Sequence, residues 1–153
     1  SEMCIRDSGN AGKEGWEKIT LASTIGGMVI NTAGVTLAHG MEHPASGLRD
    51  IVHGKGLAAL TPAIIEASYT GNESKFADIA KLFGGKEAKD LALKIRELLK
   101  SINLNCTLSD LGIEEKDIPW MAENCMKVSA ASVANNPVVF TQEQIADIYK
   151  KAL

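Results

Sequence analysis

All three histidines of the 153-residue chain lie within one stretch of fifteen residues, as His39, His43 and His53. His39 and His43 are four residues apart, so on a helix both imidazoles point to the same side. A break at Pro44–Gly47 would let a second helix, beginning near His53, bring the third ring to the other two. Because imidazole is the commonest metal ligand at neutral pH and suits Zn or Fe, this spacing indicates a metal site.

The histidines alone leave three interpretations open: a chance cluster on the surface, a metal site, and a metal-free catalytic role. As a metal site the set is incomplete, since a divalent ion normally takes at least three protein ligands and often a carboxylate. We expect Glu42 to point away from the side that His39 and His43 share. Asp50 could reach the site, but we expect it to cap the helix that begins near His53.

Helices are the elements that must position these residues, because apolar side chains recur at helical spacing along most of the chain. The first predicted helix is apolar nearly all round, which is typical of a buried central helix. We find no confident strand and no internal repeat. The sequence therefore predicts an all-α bundle of six or seven helices, with the clearest ones at residues 15–40, 54–69, 76–83, 86–101, 119–133 and 142–153.

Composition excludes several classes of partner. The chain has 16 basic and 19 acidic residues and only 5% aromatic residues, so it offers neither a basic track nor stacking platforms for nucleic acid. Residues 19–41 lack charged side chains, but their glycines and threonines make a poor lipid-facing helix, and we expect no membrane span. The three cysteines are widely spaced and no signal peptide is evident, so we expect a cytoplasmic protein without a disulfide framework.

The segment GVTLAHGMEHP at residues 34–44, followed by DIVHG at residues 50–54, closely resembles the iron-containing (group III) alcohol dehydrogenases. The resemblance extends over residues 9–153. That family folds as a nucleotide-binding α/β domain followed by an all-α domain, in the dehydroquinate-synthase-like manner. The resemblance implies that residues 9–153 are the C-terminal domain and that the nucleotide-binding domain is absent. Residues 1–8 resemble a translated sequencing-adapter scar, and we expect them to be a non-native leader.

The resemblance also implies roles for the histidines. In the family, Fe(II) or sometimes Zn(II) is held by one aspartate and three histidines, of which the last two match His39 and His53. His43 matches a position near the metal and the nicotinamide that is usually not a ligand, which implies a catalytic and cofactor-contacting role. The family's aspartate and first histidine belong to an upstream helix that this sequence lacks.

The implied activity is that of a metal-dependent oxidoreductase that interconverts an alcohol and an aldehyde or ketone with NAD or NADP. The metal would act as a Lewis acid on the substrate oxygen. We expect this chain alone to be inactive and the full-length enzyme to be a homo-oligomer acting on small molecules. Two alternatives stay open: a non-catalytic helical module for metal binding or association, and a relative of glycerol dehydrogenase.

Overall fold

The computed structural model describes residues 12–153, which form two compact units, one ending at Gly34 and the other running from Val35 to Leu153. The predicted leader at residues 1–8 lies outside the described residues, as does Cys4.

The described part of the first unit is one helix, α1, at Lys13–Ala33. Ion pairs one turn apart join Lys18 to Glu14 at 2.7 Å and Lys13 to Glu17 at 3.7 Å. None of its side chains is buried, so the prediction of a buried central helix at residues 15–40 is wrong in both burial and length. The helix ends early because Gly34 takes a positive φ of 72° with ψ at −161°, a conformation that glycine adopts without steric cost.

The second unit is helical throughout its regular structure. Its seven helices are α2 (Leu37–Arg49), α3 (His53–Ser68), α4 (Glu73–Leu82), α5 (Asp90–Ser101), α6 (Ile118–Val128), the five-residue α7 (Ala130–Ala134) and α8 (Gln142–Lys151), with 3₁₀ turns at Tyr69–Asn72 and Glu115–Asp117. Counted with α1, seven helices in residues 12–153 have ten residues or more, and no strand occurs in that range. The prediction of an all-α fold is confirmed.

Helix α2 is the central element of the second unit and packs against α3, α6 and α7. Its residues Leu37, Met41 and Ala45, spaced by four, are fully buried and form one apolar face. Tyr149 of α8 reaches this face, and its hydroxyl donates to the Met41 carbonyl at 2.5 Å. The core thus fixes the helix that carries two of the three histidines.

The predicted break at Pro44–Gly47 is not observed, because α2 continues through Pro44 to Arg49. Pro44 removes one backbone hydrogen-bond donor, but it is itself buried and lies next to the fully buried Ala45. Burial in the core therefore favours continuation of the helix. The chain turns at Asp50, which takes the left-handed conformation at φ 51°.

The C-terminal helix begins as the sequence predicts. Thr141 and Gln144 form a capping box, in which the Thr141 hydroxyl accepts from the Gln144 amide at 3.3 Å and the Gln144 side chain accepts from the Thr141 amide at 2.9 Å. The chain end is attached to the core by a hydrogen bond from the Leu108 amide to the Ala152 carbonyl at 2.8 Å.

Within residues 12–153, no single helix is both long and apolar enough to cross a membrane. Helices α1 and α2 reach the length and apolar composition of a membrane-spanning segment only when they are taken together.

Candidate metal centre

The three histidine rings lie together at the junction of α2 and α3. Helix α2 carries His39 and His43 one turn apart, and His53 is the first residue of α3, after a turn of three residues. The ring centroids are 5.0 Å apart for His39 and His53, 5.8 Å for His43 and His53, and 6.2 Å for His39 and His43. The sequence predicted this meeting, although it placed the turn several residues too early.

The nitrogen atoms of the cluster are spaced suitably for a divalent ion. One nitrogen from each ring lies within 4.8 Å of the others, and His53 Nε2 is 3.2 Å from His39 Nδ1. Two nitrogens at the usual 2.0–2.1 Å from a tetrahedral ion would be about 3.3 Å apart. The donor set therefore fits a metal, and the separation of His39 Nδ1 and His53 Nε2 matches that spacing.

A buried carboxylate lies directly behind the cluster, which the sequence interpretation had excluded. Glu42 is 0% exposed; its Oε2 contacts His53 Nδ1 and its Oε1 contacts the Ser46 hydroxyl. The expectation that Glu42 points away from the site is wrong. Glu42 follows His39 by three residues and so neighbours it on the helix surface, and His53 approaches from α3 on that side. The i, i+3 spacing was the signal that could have located Glu42.

Helix α3 leaves room for this carboxylate at one glycine. A Cβ atom on Gly56 would lie 2.7 Å from Glu42 Oε1 and 2.8 Å from Glu42 Cγ, closer than real contacts allow. Two residues earlier, a Cβ on Gly54 would meet nothing within 4 Å. Gly56 is therefore the position on α3 where any side chain would displace Glu42.

Comparison with known proteins identifies the family to which the chain belongs. The family model for the C-terminal part of the Fe-containing alcohol dehydrogenases matches residues 4–153. The chain belongs to the iron-containing alcohol dehydrogenase family. This resemblance was stated from the histidine motif, and it is confirmed.

Three relatives show what share of a family member's length this chain covers. It is 35% identical to 1,3-propanediol dehydrogenase of Citrobacter freundii over 144 residues, which are 89% of this chain and 37% of that protein. An archaeal halo-thermophilic alcohol dehydrogenase from a Red Sea brine pool matches 99% of this chain with 41% of its own, at 30% identity and a TM-score of 0.87. NADH-dependent butanol dehydrogenase A of Thermotoga maritima is 29% identical, with a TM-score of 0.66 over 76% of this chain and 32% of its own. The chain thus spans well under half the length of these relatives.

Electrostatics keep His39 in the form that can bind a metal. Partial burial lowers the pKa of His39, and the neighbouring His53 and His43 lower it further by charge repulsion, against a smaller opposite effect of Glu42. A lowered pKa leaves the imidazole neutral at neutral pH, with a lone pair available on one nitrogen.

Asp50 does not cap α3, so that expectation is wrong. Asp50 is the C-terminal cap of α2, and the N-terminal cap of α3 is Val52, which makes no side-chain hydrogen bond to the helix. The turn between the helices is only three residues long, so the position before His53 falls on an apolar residue. His53 therefore begins its helix without a capping side chain.

The cysteines in the described residues take no part in the cluster. Cys125 is fully buried in the core, and burial raises its pKa to about 11, so the thiol stays protonated at neutral pH. Cys106 is half-buried and directs its sulfur at the Lys55 carbonyl, 3.6 Å away. Among residues 12–153, a group suited to hold a metal is found at the three histidines.

A separate cavity of about 300 Å³ lies between α3, α5 and the chain end. Small α3 residues and Leu99 line it together with Arg96, Lys100 and Lys151, and none of the histidines reaches it. It offers no set of metal-ligand atoms, so we assign the metal chemistry to the histidine cluster.

Proposed function

We propose that this chain supplies the metal-binding part of an NAD(P)-dependent alcohol dehydrogenase, which interconverts an alcohol and an aldehyde or ketone. The observation that carries the proposal is the 3.2 Å approach of His53 Nε2 to His39 Nδ1 in a chain of the iron-containing family. His39 and His53 would hold Fe(II), or alternatively Zn(II). His43 would act as the catalytic and cofactor-contacting residue.

A divalent ion bound at the site would supply a Lewis acid that stabilises negative charge developing on the substrate oxygen. Neutral imidazoles of His39 and His53 suit this chemistry, because they add no negative charge of their own to the site. His43 is exposed to solvent and lies one helical turn from His39. From there it can accept a proton from the site and pass it to water, which is the work of a general base.

We expect no dehydrogenase turnover from the 153-residue chain alone, with short alcohols and either NAD or NADP. The chain spans 37% of the length of 1,3-propanediol dehydrogenase, and it is all-helical where described, without the strand and glycine-rich turn that hold a dinucleotide. The measurement is reduced-nicotinamide absorbance in the presence of Fe(II) or Zn(II). A longer protein that joins this chain to the N-terminal part found in its relatives, here called the complete enzyme, should turn over. Metal-dependent turnover by the pure chain would instead show that it carries a whole active site.

We expect the chain alone to bind Zn(II) only weakly. Two histidines, or three if His43 joins them, cannot close the four-ligand shell that tight zinc sites have. Titration calorimetry of the chain with Zn(II) measures this directly. Submicromolar affinity that disappears in His39→Ala would contradict the expectation and favour a self-contained metal-binding module, the main alternative to the proposed enzyme.

A further inference from the structure

We propose that Glu42 is a positioning residue for His53, holding the ring so that Nε2 faces His39 and the metal position. The inference rests on the proposed function, in which His53 is a metal ligand. It concerns a residue outside the ligand set, and its evidence is the contact between a fully buried carboxylate and the far nitrogen of that ligand.

The ring of His53 lies beside those of His39 and His43, and Glu42 adds a contact from a buried side chain. The side chain of His53 is 45% exposed, and the residue stands at the start of a helix whose cap residue makes no side-chain hydrogen bond. An exposed imidazole at a helix end can rotate among several rotamers. Glu42 lies in the middle of α2 and its side chain is fully buried. Its carboxylate contacts Nδ1 of His53, which fixes the direction in which Nε2 points.

The same contact selects the tautomer of His53. When the Glu42 carboxylate is ionised it only accepts hydrogen bonds, and Nδ1 then carries the proton and donates it to Glu42 Oε2. The lone pair then remains on Nε2, the atom that lies 3.2 Å from His39 Nδ1. Carboxylate partners of this kind fix the orientation of metal-binding histidines and strengthen them as ligands.

Core packing alone does not account for a carboxylate at this position, because burying a polar group is costly unless it is hydrogen-bonded. Within residues 12–153, the Glu42 carboxylate has hydrogen-bond partners only in Ser46 and His53. The single proton of the Ser46 hydroxyl can also go to the Ile51 carbonyl, whose oxygen lies 2.9 Å from Ser46 Oγ. A buried acid with this arrangement is explained by what it does to His53.

The first test uses the metal-free chain and reads the tautomer of His53 by long-range ¹H–¹⁵N NMR, at a pH where the ring is neutral. In the wild type we expect the proton on Nδ1. In Glu42→Leu the ring should relax to the mixture of tautomers of an unrestrained imidazole. Glu42→Gln, whose amide oxygen can still accept from Nδ1, should restore the wild-type tautomer.

A second variant displaces Glu42 without removing its charge. Gly56→Ala introduces a Cβ that Glu42 must move to avoid, so it should shift the tautomer as Glu42→Leu does. Gly54→Ala is the matched control on the same helix, because its Cβ meets nothing within 4 Å, and it should leave His53 unchanged. This pair decides the question even if Glu42→Leu fails to fold.

Zinc affinity gives the second readout, by calorimetry on the same proteins. Glu42→Leu and Gly56→Ala should raise the dissociation constant for zinc by roughly 10–100-fold, the usual effect of losing such a partner. Glu66→Gln, which alters an exposed pair with Arg96, should not weaken it. If the chain binds no zinc at all, the metal proposal fails for the chain while the tautomer still tests Glu42. An unchanged His53 tautomer in folded Glu42→Leu or Gly56→Ala would overturn the role of Glu42.

Discussion

In the complete enzyme, His39→Ala and His53→Ala are each expected to remove the metal and the activity together. Each substitution deletes one of the two nitrogens that face each other at 3.2 Å and so opens the ligand shell that holds the ion. Metal content and kcat should therefore fall in parallel. The measurement is metal per subunit by mass spectrometry, made on the same preparations as kcat.

His43→Ala should behave differently in the same assay. The ring centroid of His43 lies 6.2 Å from that of His39 and 5.8 Å from that of His53, farther than the 5.0 Å between those two rings. We expect this variant to keep most of its metal and to lose roughly 10²–10⁴-fold in kcat, the effect of removing a general acid or base. If His43→Ala loses metal as fully as His39→Ala, then His43 is a ligand and a three-histidine site is the better description.

Leu60→Ala is expected to produce a large loss of stability. Leu60 is 0% exposed and belongs to the buried core cluster that also contains Leu37 and Met41 of α2, so alanine leaves a cavity in that core. The free energy of unfolding should fall by about 2–5 kcal/mol, the range for such truncations in cores. Urea unfolding of the chain, followed by circular dichroism, measures it.

Leu82→Ala is the matched control, since Leu82 also lies in a helix but is 83% exposed. It should change the free energy of unfolding by less than about 0.5 kcal/mol, as surface substitutions usually do. Equal losses for the two variants would contradict the assignment of Leu60 to the core.

The sequence alone predicted the helical class of the fold because apolar spacing reports which face of each segment is buried. The C-terminal helix also shows how local chemistry can be predicted. Its capping box joins Thr141 to Gln144, and the spacing of three residues between them is visible in the sequence. The meeting of the three histidines was predictable for the same reason, since two share a helix face and the third follows after a short turn.

The errors fall where nonlocal packing overrides local signals. Pro44 and Gly47 indicate a break, yet the buried face of α2 continues past them to Arg49. The apolar residues between positions 15 and 40 predict one buried helix, but the helix ends at Ala33 because Gly34 has a positive φ. Glu42 was placed away from the site although its i, i+3 spacing puts it beside His39 on the helix surface, and its contact with His53 depends in addition on how α3 packs against α2.

The central claim is that His39 and His53 hold the metal, and anomalous diffraction at the iron absorption edge tests it most directly. Crystals of the complete enzyme loaded with Fe(II) should show one anomalous peak in contact with Nδ1 of His39 and Nε2 of His53. A peak bound to His43 in place of either residue, or no peak at these three histidines, would contradict the account.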